Sequence, residues 1–118
     1  WIRSAPTGSI KYSGYMSLEN DSSTSLLISN IKSNAFQKVE IHESFIQNDV
    51  SKMREVNEIN ISPKSTLELK PGQLHLMLMN PIKEIQEKEP IELMIYFKKD
   101  MNAEILRIEA TVLRNGYE

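Results

Sequence analysis

Period-two alternation is the feature that most narrows what this chain can fold into. Residues 12–20, 25–31, 37–45, 65–70, 73–79, 91–99 and 104–113 alternate apolar and polar side chains, with clusters of Gly, Pro, Asn, Asp and Ser between them. Successive side chains of a strand point to opposite faces, so the pattern predicts half-buried strands. No long stretch carries the 3.6-residue period of a helix. In 91–99, Ile91, Leu93, Ile95 and Phe97 share one face, opposite Glu92, Met94, Tyr96 and Lys98. The last segment puts Leu106, Ile108, Ala110 and Val112 inward. Residues 50–57 are more polar and read as a loop or short ribbon, 81–90 as a charged connection, and 1–10 and 114–118 as ends expected to fray. About seven or more strands, each with one apolar face to bury, predict an all-β, antiparallel β-sandwich. With no repeat and no low-complexity tract, a single domain is expected over residues 1–118.

Charge and composition remove several functions. Fourteen Lys and Arg against 16 Asp and Glu leave a formal charge of −2, which offers no footprint for a phosphate backbone, so no nucleic acid is expected as partner. No apolar run approaches the roughly 20 residues of a membrane-crossing helix. The chain contains no Cys, which excludes disulfides, thiol catalysis and a blue-copper electron-transfer site. Nor is there a phosphate-cradling Gly-rich loop, and no Ser/His/Asp arrangement stands out, so the chain is read as not an enzyme.

Within Leu74-His75-Leu76-Met77-Leu78-Met79, alternation puts the three Leu on one face and His75, Met77 and Met79 on the other. The Leu face is core. An imidazole and two thioethers then occupy the face that strand patterning normally gives to polar residues. Met also fills gaps in apolar cores, so a strand buried on both faces is the competing reading. The chain has only one other histidine, His42, and it too lies on the non-core face of its strand. With Met53 the four residues form the pattern H-x10-M-x21-H-x-M. Thioether sulfur is soft and neutral and favours Cu(I), while imidazole suits several transition metals. Two Met with two His would therefore select Cu(I), and without a thiolate the site could not oxidise to a disulfide.

This pattern and its surroundings resemble the periplasmic copper chaperones of the PCu(A)C family. The resemblance is carried by Trp1-Ile-Arg3-Ser-Ala-Pro6, Tyr15-Met16-Ser-Leu-Glu-Asn20, Val39-Glu-Ile-His42-Glu43, Met53-Arg54-Glu55-Val56 and Leu69-Lys-Pro71-Gly72-Gln-Leu-His75-Leu-Met77-Leu78. It runs from residue 1 to about residue 97. Two departures concern turns: Gln73 and Asn80 stand where the family usually has Gly. The resemblance implies a cupredoxin-like β-sandwich binding one Cu(I) through His42, Met53, His75 and Met77. It further implies delivery to the dinuclear copper site of cytochrome c oxidase, directly or through a Sco-type protein. A periplasmic or otherwise extracytoplasmic location is implied as well, with any membrane anchor lying outside this sequence. The alternative is a β-sandwich interaction module that binds no metal and in which the His and Met residues only pack.

Neighbouring residues receive plainer readings. Met79 and Met16 are expected to pack, and Glu43 to be a solvated charge. Glu40 shares the face of His42 and is a candidate for orienting an imidazole nitrogen. Trp1 and Tyr15 could shield the site or pack beneath it, and packing is expected for both. Only neutral imidazole binds metal, so affinity is expected to fall once pH drops below the ordinary imidazole range, about 6.5.

Overall fold

Among the described residues eleven strands succeed one another: β1 (Ile2–Arg3), β2 (Lys11–Gly14), β3 (Met16–Asn20), β4 (Leu26–Ser33), β5 (Phe36–Gln47), β6 (Val50–Val56), β7 (Ile59–Ile61), β8 (Ser65–Leu69), β9 (Leu74–Pro81), β10 (Pro90–Lys99) and β11 (Asn102–Leu113). The computed structural model describes residues 1–6 and 8–114, and no helix occurs among them. The expected residues 115–118 of the fraying C-terminus lie outside the described residues.

The large sheet has the order β6-β5-β9-β2-β1-β11-β10-β4-β7, and a further pairing of Ile31 on β4 with Val39 on β5 closes its middle into a flattened barrel. β3 and β8 form a separate two-stranded sheet. The architecture is the all-β, cupredoxin-like sandwich that the alternation and the resemblance predict. One pairing departs from antiparallel: β1 runs parallel to β11. Ile2 and its neighbours therefore do not fray. Ile2 is fully buried, opposite Val112 on one side and Gly14 on the other.

The alternation decides which side chains make the core. Leu76 and Leu78 of β9, Ile91 and Leu93 of β10 and Val112 of β11 are fully buried together with Ile2. At Gly14, whose backbone lies between Ile2 and Leu76, an added Cβ would stand 3.1 Å from Leu78 Cδ1 and 3.3 Å from Leu76 Cβ. The second contact is to an atom fixed to the backbone and cannot swing away. Gly14→Ala is expected to cost about 1–3 kcal/mol by overpacking, measured as a shift in a urea unfolding midpoint.

Two segments need comment. Of the two readings of residues 50–57, loop or short ribbon, the ribbon holds: β6 forms a seven-residue hairpin arm with β5. Asn48 and Asp49, with φ of 53° and 64°, make the two-residue turn whose twist matches paired strands. Leu106 keeps the face it shares with Ile108 but is 43% exposed, because the groove it lines with Leu18 and Phe97 is open to solvent. Ala110 and Val112 are buried as expected.

Candidate metal centre

Strand β5 lies between β6 and β9, and its register with both is fixed along the site. His42 stands directly opposite His75 on β9 and opposite Glu55 on β6. Ser44, two residues on and therefore on the same face, is opposite Met53. Glu40, two residues back, is opposite Met77. His42, Met53, His75 and Met77 thus share one face of three adjacent strands, with His42 at the centre and the two Met on its diagonals.

The four are not equally placed. His75 is 4% exposed and Met77 7%, in a strand buried on both faces over Leu76–Leu78 as well. Met77 and His75 stand outside the main apolar core. Met53, by contrast, is 59% exposed on the outermost strand. The rings of His42 and His75 meet edge to face with centroids 6.1 Å apart. Two imidazoles bound to one ion through nitrogens about 2 Å from it have centroids roughly 5–6 Å apart, so little movement is needed to share a metal. Among the described residues no group of three or more His, Cys, Asp or Glu converges as for a metal ion. Thioethers would have to complete any shell around the two imidazoles.

Each imidazole is held by a residue two positions earlier. His42 Nε2 lies 2.9 Å from Glu40 Oε1, and His75 Nδ1 lies 2.9 Å from the Gln73 carbonyl oxygen. The Glu40 role foreseen from face-sharing is present in the structure. Its other oxygen is 2.9 Å from Lys38 Nζ. The His42 N–H, then the Lys38 ammonium, outweigh burial and lower the Glu40 carboxyl to about 2. A carboxyl whose folded pKa is depressed stabilises the fold fully above its unfolded value and loses that contribution as pH falls through the folded one. Stability of the metal-free protein is therefore expected to decline between about pH 4.5 and 2, and Glu40→Gln to flatten that limb in acid titrations followed by circular dichroism.

The surroundings behave as plain packing predicts. Glu43, on the opposite face, pairs with Arg54. Met79 sits between Lys11 and Lys38 in the sheet, and Met16 packs against the apolar core. Trp1 and Tyr15 pack with ring centroids 5.0 Å apart, and the Arg3 guanidinium lies against both rings. Asn80 takes φ of 56°, the left-handed conformation Asn tolerates best after Gly, which accounts for its replacing Gly there. Gln73 needs no such conformation, since positive φ in this turn falls on Gly72. What the sequence reading missed is the Gln73 carbonyl, whose direction no residue identity encodes.

Comparison with known proteins bears on the family and the fold. Residues 1–112 match the family described as "Putative lipoprotein LpqE-like". No curated protein matches the chain. Among solved structures, the copper-bound PCuAC domain from PmoF2 superposes with a TM-score of 0.76 at 22% identity, covering 96% of this chain and 86% of that one. The apo PmoF2 PCuAC domain gives 0.76 at 22% identity, covering 98% and 87%. The solution structure of CuI-DR1885 from Deinococcus radiodurans gives 0.74 at 19% identity, covering 98% and 75%. The fold is that of PCuAC domains. No helix among the described residues is long and apolar enough to cross a membrane.

Proposed function

Because the chain belongs to the LpqE-like family and has the fold of PCuAC domains, we propose that it is a Cu(I) metallochaperone holding one ion between His42, Met53, His75 and Met77. The observation that carries this reading is the direct facing of His42 and His75 across β5 and β9, with a thioether on each diagonal. Two soft sulfurs and two neutral nitrogens match Cu(I) in preference to hard cations. The relatives described as copper-bound and as CuI-DR1885 support the choice of ion. All four donors are neutral, so the bound ion keeps its positive charge and is cargo, with no reaction catalysed upon it.

The acceptor in this reading is the dinuclear copper site of cytochrome c oxidase, reached directly or through a Sco-type protein, and the place of transfer is outside the cytoplasmic membrane. The lipoprotein character in the family's description supports the location. An anaerobic Cu(I) titration against a chromophoric chelator tests the binding step. One tight equivalent is expected, with affinity falling as pH drops through the imidazole range, about 6.5. Absence of binding overturns the proposal and returns the His and Met residues to packing.

A further inference from the structure

We infer that the two histidines present different ring nitrogens to the ion, Nδ1 of His42 and Nε2 of His75, and that Glu40 is the positioning residue that fixes the first. The metal half of this inference rests on the proposed function; the proton positions do not. A neutral imidazole has one N–H and one lone pair, and the partner of one nitrogen decides which is which. Glu40 keeps both oxygens engaged, Oε1 by His42 Nε2 and Oε2 by Lys38 Nζ, each at 2.9 Å, with its side chain only 11% exposed. An ionised carboxylate only accepts, so Nε2 of His42 carries the proton and Nδ1 carries the lone pair. The Gln73 carbonyl also only accepts. Nδ1 of His75 donates to it, leaving Nε2 free for metal.

The two holds differ in kind. The Gln73 carbonyl is itself fixed by β5, receiving the Ser44 N–H at 3.3 Å. That hold on His75 is built from backbone and survives most side-chain changes. The hold on His42 is one carboxylate on the same strand, clamped by Lys38. It orients the ring, raises the electron density on Nδ1 and puts a negative charge beside a site meant for a cation.

The test reads proton positions in the 15N-labelled, metal-free protein at about pH 8, where imidazole is neutral, by long-range proton–nitrogen correlation. His42 is expected as the Nε2–H form and His75 as the Nδ1–H form. Glu40→Gln retains an accepting oxygen and is expected to keep the His42 form. Glu40→Ala is expected to release His42 into a mixture of both forms, leave His75 unchanged and weaken Cu(I) binding 10- to 100-fold. On adding Cu(I), the nitrogen shifts of His42 Nδ1 and His75 Nε2 should move while both N–H groups persist. An Nδ1–H form of His42 in the intact protein overturns the inference, as does a Glu40→Ala variant with unchanged His42 form and unchanged affinity. If Glu40→Ala does not fold, the intact-protein spectrum still decides. Should the intact protein bind no Cu(I) yet show the assigned forms, the metal reading fails and the Glu40 positioning stands.

Discussion

Replacing Met77 by Leu is expected to lower Cu(I) affinity by at least about 100-fold while changing the stability of the metal-free protein by less than about 1.5 kcal/mol. The two numbers come from different properties of one side chain. Met77 is 7% exposed, between Glu40 on β5 and Ser13 on β2, so its volume matters to packing. Leu fills nearly the same volume, and such swaps are tolerated. What is lost is the sulfur. Residues that merely orient metal ligands are worth 10- to 100-fold in affinity, so deleting a donor itself must cost at least the upper end. The chelator titration and a urea melt on the same sample separate these effects. Equal affinity in the variant would remove Met77 from the ligand set, and a large loss of stability would show that its role is packing.

Asn20→Asp is expected to destabilise the fold by about 3–5 kcal/mol, although it exchanges one atom for a near-isostere. Asn20 is 1% exposed at the end of β3. Its Nδ2 donates to the carbonyls of Thr24, Ile61 and Ser62 at 2.8, 2.9 and 3.1 Å, and its Oδ1 accepts from the Ser22 N–H and hydroxyl. The one side chain thus ties the small sheet to β7. An aspartate there would aim a charged oxygen at three acceptors and leave them unpaired. Burial would raise the new carboxyl above its unfolded value, so the penalty is full at neutral pH and shrinks as pH falls toward about 4. Urea melts at pH 7 and pH 4 measure both the size and the sign. A variant as stable as the parent at pH 7 would mean that the Asn20 hydrogen bonds do not carry this junction.

The strands legible in the sequence are those whose alternation coincides with cover on one face. In β10, Ile91, Leu93 and Ile95 are buried as the pattern predicts. In β11 the same pattern fails at Leu106, since alternation tells which residues share a face but not whether anything lies over it. The Val50–Val56 strand was legible only as one of two alternatives, loop or short ribbon, for the opposite reason. Its residues are exposed almost throughout and carry no burial signal, and only the Asn48-Asp49 pair announces the hairpin. The terminal strand Ile2–Arg3 is two residues long and gains its partners from β11, far away in sequence. For the candidate site, the spacing of His42, Met53, His75 and Met77 was readable, and so was the face shared by Glu40 and His42. The register that sets His42 against His75 was not, because it follows from pairing between strands joined by some thirty residues.

The Asn48-Asp49 turn has a consequence in time as well as in space. β9 pairs with β5 only as far as Glu43, opposite Leu74, so the hairpin beyond that point is a ribbon of two strands without a third. Such ribbons have little stability of their own, and its outward side chains Ile46 and Val50 gain no cover. Its amide hydrogens should exchange with solvent far sooner than those of β9. Met53 stands on this ribbon, while His75 and Met77 stand on β9. An ion held by the four proposed ligands would therefore lose them in sequence, the ribbon's sulfur first, and a vacated coordination position would open to an incoming donor well before the ion could leave into water.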